Sequence, residues 1–337
     1  MILYKTFCPN CGSVVSSERL TRGLLCERCF PYNTGDICSF LREGEFVRVC
    51  QLWENIRRFE DLFSEKVGSP PWSIQKTWST RYFNGRSFSL IAPTGIGKTT
   101  FGLILSIFIV NRGGKVYLLF PTELLCLQAY ERLNEYKFTD GILIYRSKAP
   151  NREEIKREIS KGNFNILITT TMFLYKNIDI IPKGIFSLIF VDDVDSILKA
   201  ARNIDKLFLL LGLTERDISL ALRYISEKKS RINNKDASIE FSSMEEDVKE
   251  ISKGIRGSLI VSSATSRPKS SRILLLREIL GFELGQPRIS IRNIEEFYEF
   301  PSNDIFKESI NKIKYFGSGG LVFLSGVYSK SLEDYVQ

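Results

Sequence analysis

The sequence predicts an α/β protein: a parallel β-sheet with helices on both faces, preceded by a small metal-binding ribbon. Three observations predict it. Six short apolar runs between residues 87 and 263 alternate with helix-length connections. A glycine-rich loop joins the first of these runs to an apolar helical stretch. Four cysteines stand near the front of the chain as two C-x2-C pairs. Strands alternating with helices build a parallel sheet, and such sheets bind ligands at the carboxyl ends of their strands.

Bulk properties set outer limits. At 337 residues the chain is long enough for two domains, or one domain with appendages. Hydrophobic residues at 43% and charged residues at 26% are ordinary for a soluble globular protein. The formal net charge of +8 is a modest excess that favours an anionic partner such as nucleic acid. The chain contains no histidine, which excludes histidine acid–base chemistry and histidine metal ligands. No apolar run approaches the ~18 residues of a membrane span. The opening "MILYKTFCPNC" runs straight into cysteines and does not read as a signal peptide. Seven cysteines, an odd number, favour a reducing, cytoplasmic location where paired cysteines bind metal.

The first element, residues 1–40, holds "CPNC" (8–11) and "CERC" (26–29), spaced C-x2-C-x14-C-x2-C. Two thiolate pairs on tight turns suit tetrahedral Zn²⁺, so Cys8, Cys11, Cys26 and Cys29 are expected to bind a structural zinc. The metal would help fold a segment too small to own a core. Cys38, Cys50 and Cys126 are left over and read as core or surface thiols. Arg19, Arg22 and Arg28 lie in or beside the loop between the pairs, as a nucleic-acid contact or as a solvated face.

A helical linker occupies residues 41–70. Val49, Leu52, Trp53, Ile56, Phe59 and Phe63 fall at helical spacing between Glu43 and Lys66, and "GSPP" at 68–71 breaks the helix. The sheet domain follows over residues 71–285. Its strand-like runs are 87–92, 115–120, 142–146, 165–170, 187–191 and 258–263. An insert at about 197–257 interrupts the alternation. In it "TERD" (214–217) reads as a capping box, with Ile218, Leu222 and Ile225 on one helix face. From Lys199 to Lys235 nine basic residues stand against four acidic ones, as in a basic protrusion or a solvated surface hairpin. A helix-like "RILLLREILGFELG" comes after Thr265, and a strand-like "GLVFLSG" (320–326) lies in a last segment, 286–337.

"APTGIGKTT" (92–100) sits between the first strand and "FGLILSIFIV". Its glycines let backbone N–H groups curl around phosphate oxygens, and the following helix adds the positive end of its dipole. Ala92, Pro93, Thr94, Gly95, Ile96, Gly97, Lys98, Thr99 and Thr100 form this nucleotide loop. Lys98 is placed to reach the β and γ phosphates, and Thr99 to bind Mg²⁺. Ala92 stands where the general motif has glycine. Such a loop needs a second strand ending in an acid beside the Mg²⁺. "FSLIFVDDVDS" (186–196) is the best candidate in the chain: Asp192 for the Mg²⁺ and Asp193 for the attacking water. The competing reading is that these acids only cap a helix starting near Ser196.

The motifs, in order, resemble those of superfamily 2 helicases. "PPWSIQ" places Gln75 about twenty residues before the loop, as in an adenine-reading Q motif. "FPTELLCLQ" (120–128), "ITTTMFL" (168–174), "VDDVD" and "SSATS" (262–266) resemble motifs Ia, Ib, II and III. More narrowly, "VDDVDSILKAARNIDKLFLLLG" and "SSATSRPKSSRILLLREILGFELG" resemble reverse gyrase, as does the cysteine ribbon ahead of "PWSIQ". Reverse gyrases join a helicase-like ATPase to a type IA topoisomerase and introduce positive supercoils into DNA. The resemblance implies a zinc ribbon, a RecA-like P-loop NTPase domain over 71–285 and the start of a second such domain over 286–337.

It further implies ATP, Mg²⁺ and Zn²⁺ as cofactors, and DNA and a topoisomerase half as partners. Gln75 would recognise adenine; Gly95, Gly97, Lys98 and Thr99 would hold phosphates and Mg²⁺; Asp192 and Asp193 would form motif II. Ser263 and Thr265 would couple nucleotide state to domain closure. Pro121, Thr122, Thr169, Thr170 and Thr171 would line the DNA backbone path, where hydroxyls and helix N-termini contact phosphate without reading bases. The alternative for these threonines is ordinary turn and cap duty. Asp193 stands where the common helicase motif has glutamate, a form reverse gyrases share. The arginine finger and topoisomerase tyrosine would fall after position 337. These 337 residues alone are therefore expected to bind nucleotide and DNA, hydrolyse ATP feebly and not supercoil DNA. Two other readings stand beside this one: another zinc-ribbon superfamily 2 DNA or RNA helicase, and a non-catalytic nucleic-acid-binding relic.

Overall fold

Short apolar runs punctuated by glycine and polar caps give the chain its elements in order. At the front, β1 (Leu3–Tyr4) and β2 (Val15–Ser16) pair antiparallel, followed by α1 (Ser17–Thr21) and α2 (Ile37–Phe40). Two linking helices come next, α3 (Phe46–Val67) and α4 (Ser73–Phe83). The sheet region then runs β3 (Phe88–Ile91), α5 (Lys98–Val110), β4 (Lys115–Phe120), α6 (Glu123–Glu135), β5 (Ile142–Ile144) and α7 (Arg152–Lys161). It continues with β6 (Ile166–Thr170), α8 (Thr171–Asn177), β7 (Phe186–Val191), α9 (Arg202–Leu210), α10 (Glu215–Asn233), α11 (Ile239–Lys253), β8 (Ser258–Ser263) and α12 (Leu274–Leu280). This computed structural model describes residues 2–93, 95–193, 202–233, 239–263 and 271–284. Thr94, Thr265, the expected strand at 320–326 and the whole of 286–337 lie outside the described residues, as does the side chain of Ser263.

All six strand-like runs become strands of one parallel sheet, ordered β3-β8-β7-β4-β6-β5. Because side chains alternate along a strand, each strand feeds two cores. Val116, Leu118 and Phe120 of β4 join α3, α4, α5 and α6 on one face. Tyr117 and Leu119 join α7 to α12 on the other. With both faces covered, the strands can be continuously apolar, as the sequence has them.

The face beneath α5 is built from rings. Phe59 of α3 is fully buried and lies 5.6 Å from Phe101, 5.9 Å from Phe108 and 6.0 Å from Phe63, centroid to centroid. This cluster clamps the linker helix to the helix that leaves the phosphate loop. Phe59→Ala is expected to destabilise the fold by about 3–5 kcal/mol, read as a lowered thermal midpoint.

The insert departs from expectation. Over the described residues it is not a free-standing basic protrusion: α10 and α11 pair with each other and bury one face in the second core. Ile204, Leu207, Phe208, Leu211, Ile218, Ala221, Tyr224, Ile225 and Val248 are buried and belong to the second core. The count from Lys199 to Lys235 leaves out α11, packed against α10, in which Glu245, Glu246, Asp247 and Glu250 outnumber Lys249 and Lys253. The capping box does form: Thr214 Oγ1 accepts from the Asp217 N–H at 3.2 Å, and Asp217 Oδ2 accepts from the Thr214 N–H at 2.8 Å.

The leftover cysteines also need correcting. Cys38 and Cys50 are joined as a disulfide, with Cα atoms 5.2 Å apart, because the turn between α2 and α3 folds one back on the other. Cys126 is a buried thiol of the first core, the first of the two alternatives, core or surface, that the sequence left open. Among the described residues, no helix is long and apolar enough to cross a membrane.

Candidate functional site

β3 ends at Ile91, and a turn at residues 95–97 leads into α5, whose first residue is Lys98. The turn needs Gly95 and Gly97, which sit at φ +86° and +80°. A Cβ on Gly97 would also lie 2.8 Å from Gln75 Nε2. The first N–H groups of any α-helix have no partner within the helix, and with the helix dipole they suit this turn to polyphosphate. Lys98 Nζ donates to the Ala92 carbonyl at 2.6 Å. Desolvation pulls the Lys98 pKa below its usual value, while the charges of Asp192 and Asp193 pull it back up.

β7 lies two strands from β3, with β8 between them, and ends at Val191. Asp192 therefore emerges at the same carboxyl edge as the glycine turn. Its N–H donates to the Leu119 carbonyl at 2.8 Å, and its Oδ2 accepts from Thr99 Oγ1 at 2.7 Å. Adjacent oxygen ligands of octahedral Mg²⁺ stand ~2.9 Å apart at Mg–O distances of about 2.0–2.1 Å. The Thr99–Asp192 pair thus fits two neighbouring positions of that shell. Asp193 is exposed and holds a left-handed φ of +62°, a conformation aspartate adopts more readily than most residues.

Gln75 is 5% exposed, and its amide is engaged at both ends. Oε1 accepts from the Trp72 N–H at 2.9 Å, and Nε2 donates to the Ile96 carbonyl at 3.2 Å. It ties the start of α4 to the phosphate loop, a link that spacing alone does not show. Thr100 lies in the first turn of α5, and Pro93 in the turn before it.

The threonines expected along a DNA path divide into two groups. Thr122 and Thr170 are helix caps: their hydroxyls accept from Leu125 N–H at 3.3 Å and Phe173 N–H at 3.2 Å. Both stand with Pro121 at the carboxyl ends of the neighbouring strands β4 and β6. Thr169 and Thr171 are buried, and Thr169 Oγ1 is paired with the fully buried Tyr117 hydroxyl at 2.8 Å. Leu124, Met172 and Tyr175, which the sequence reading did not single out, are exposed on the helices that follow.

Cys8, Cys11, Cys26 and Cys29 come together with all four sulfurs within 4.8 Å of one another. Cys11 and Cys26 Sγ are 3.6 Å apart, against an edge of ~3.8 Å for a tetrahedron with Zn–S bonds of about 2.3 Å. Burial raises the thiols of Cys26 and Cys29, the latter to about 12, while a hydrogen bond from Ser13 lowers Cys11 to about 6. Four thiolates in this setting need a cation, and the donor set fits zinc. Because protons compete for the same sulfurs, metal affinity is expected to fall as pH drops, which a competitive chelator titration would read.

Arg19 corrects the reading of the ribbon's arginines. It is 7% exposed and faces inward, where it donates to the carbonyls of Leu25 at 2.7 Å, Tyr32 at 3.2 Å and Phe30, and to Asn33 Oδ1 at 3.2 Å. It shapes the loop that carries Cys26 and Cys29. Arg22, by contrast, is exposed and paired with Glu18. Arg19→Ala is expected to leave buried carbonyls unpaired at about 1–3 kcal/mol each, lowering the ribbon's melting temperature. Arg19→Lys should not restore it, since an ammonium cannot reproduce the planar fork.

Comparison with known proteins follows the same division of the chain. The reverse gyrase zinc finger family matches residues 1–48, and the DEAD/DEAH box helicase family matches residues 72–222. Over the residues it spans, the chain belongs to the reverse gyrase family. Reverse gyrase 1 of Aquifex aeolicus (strain VF5) is 45% identical over 99% of this chain and 29% of that protein. The reverse gyrase of Methanocaldococcus jannaschii is 36% identical over 96% of this chain and 20% of that protein. This reverse gyrase region therefore spans less than a third of the length of those relatives. Among solved structures, the UvsW helicase from bacteriophage T4 aligns over 64% of this chain and 60% of that chain, at 15% identity and a TM-score of 0.38.

Proposed function

We propose that this chain is the zinc-ribbon and helicase-like motor region of an enzyme that uses ATP to drive positive supercoiling of DNA. The strand-passing chemistry belongs, on this reading, to a type IA topoisomerase part outside these 337 residues, acting on DNA in the cytoplasm. The observation that carries the motor reading is the meeting of Thr99 and Asp192 at 2.7 Å, with both acids acting on Lys98. Helicase and reverse gyrase family matches support the rest.

The roles follow from placement. The N–H groups of the loop and the Lys98 ammonium would take the phosphates of ATP. Thr99 and Asp192 would hold Mg²⁺, which supplies charge neutralisation at the phosphates when bound. Asp193 would orient the attacking water. Gln75 would read adenine. Because its amide already holds Ile96, adenine and loop geometry would share one side chain. Ser263, the last residue of the strand that separates the loop from motif II, and Thr265 would pass the nucleotide state to a partner domain. Pro121, Thr122 and Thr170 would face the DNA backbone, with Thr169 and Thr171 supporting them from within. Zinc on the four cysteines would hold the ribbon in shape.

ATP turnover measured with duplex DNA, with RNA and with neither tests this reading. Turnover by these residues alone is expected to be slow, because on this reading the arginine finger, a contribution of about 10³–10⁵ in related NTPases, comes from a second motor domain. In a chain extended to include the second motor domain, duplex DNA is expected to stimulate turnover. Stimulation by RNA instead would favour a general helicase. Absence of any nucleotide affinity would favour a relic.

A further inference from the structure

The long linker helix α3 lacks a cap of its own. Glu45, at the capping position, has helical backbone angles and makes no side-chain cap hydrogen bond. The first helical residue, Phe46, instead donates its N–H at 3.0 Å to Oδ1 of Asn10, 36 positions earlier. Asn10 lies inside the first cysteine knuckle, between Cys8 and Cys11. Its backbone carbonyl also accepts from the Glu45 N–H at 3.2 Å.

The other end of the same amide faces the metal cluster. Asn10 Nδ2 donates to Cys29 Sγ at 3.2 Å and to the Glu43 carbonyl at 3.1 Å. Both N–H bonds and the carbonyl of the amide are therefore used, and the side chain is 7% exposed. The amide orientation is determined by this set: turning it over would put oxygen against sulfur and carbonyl, and N–H against N–H. Gly44 makes room for it. At φ +104°, a Cβ there would fall 2.3 Å from Asn10 Oδ1. The nearby Cys38–Cys50 disulfide closes the same corner, but it includes none of the four cluster cysteines.

We propose that Asn10 is a positioning residue that links metal occupancy of the cysteine cluster to formation of the first turn of α3. It orients a ligand sulfur with one end of its amide and supplies the missing helix cap with the other. A bound metal holds the knuckle, the knuckle holds Asn10, and Asn10 holds the N-terminus of α3. That helix carries Phe59, packed on the helix that leaves the phosphate loop. The inference rests on the zinc reading of the four cysteines, and its test separates the two.

Cobalt(II) replaces zinc as a visible probe, and residue-resolved hydrogen exchange reads the Phe46 amide, in the full chain throughout. A four-thiolate charge-transfer spectrum in the wild type is the check on the zinc reading itself; without it, that reading fails before Asn10 is tested. With metal binding established, removing the metal is expected to speed exchange at Phe46 at least tenfold. Asn10→Ala is expected to do the same with metal present and to weaken cobalt affinity about 10- to 100-fold, the usual effect of losing an outer-shell partner. Asn10→Asp separates the two ends. Its carboxylate still caps the helix but cannot donate to sulfur, so Phe46 protection is expected to persist while cobalt affinity falls tenfold or more. The proposal is overturned if wild-type Phe46 exchange is the same with and without metal. It is equally overturned if Asn10→Ala leaves both readouts unchanged, or if Asn10→Asp retains wild-type cobalt affinity.

Discussion

Alanine at Lys98 is expected to weaken ATP binding by roughly 30- to 5,000-fold, the equivalent of losing about 2–5 kcal/mol from a half-buried charge pair. The ammonium sits at the mouth of the glycine turn, tethered to Ala92 and acted on by Asp192 and Asp193. Removing it leaves two carboxylates facing the place where the phosphates would come. Calorimetric titration with ATP and Mg²⁺ reads the loss, and a thermal melt of the same variant checks that the fold survives. The alkaline side offers a second readout. Burial lowers the Lys98 pKa, so its charge is fully present at low pH and is lost on raising pH sooner than in a solvated lysine. Affinity is therefore expected to decline as pH rises through that lowered pKa. An alanine variant that binds ATP as tightly as the wild type would end the motor interpretation.

Loss of the metal is expected to have the second large effect, confined at first to the ribbon. Among the described residues, only Cys8, Val15, Leu24, Leu25, Cys26, Phe30 and Leu41 form its buried hydrophobic core, and two of these are cluster cysteines. So small a core cannot offset the entropy of ordering some forty residues. Structural zinc contributes about 10–16 kcal/mol in finger-sized peptides near neutral pH. Chelation, or Cys26→Ser, is expected to open residues 2–41 to protease while the six-stranded sheet stays resistant. A stripped chain whose ribbon still resists protease would show that packing, not metal, holds it.

The candidate site was legible in the sequence to the extent that its parts are local. "APTGIGKTT" between a strand and a helix, and "LIFVDD" at the end of another strand, each carry their own signal within ten residues. What joins them does not. Thr99 and Asp192 are 93 positions apart and meet only because β3 and β7 run parallel, one strand removed from each other. Charge along the insert misled for a related reason. A basic count between Lys199 and Lys235 says nothing of the apolar face that Ile204, Phe208 and Tyr224 bury in the second core, nor of the acidic helix packed alongside.

Taken alone, the sequence determined six strands, the helices between them, the phosphate loop and the cysteine pairs, because each is written in residue spacing that the local backbone must obey. The tertiary structure alone decided which distant groups share a contact. It turned Arg19 inward onto three carbonyls, joined Cys38 to Cys50, spent the Thr169 hydroxyl on Tyr117, and set Asn10 between a zinc-type sulfur and a helix 36 residues away. The reason is physical. Spacing dictates periodicity, but a buried polar group pairs with whatever the folded path of the chain brings to it, and it must find a partner once water is gone.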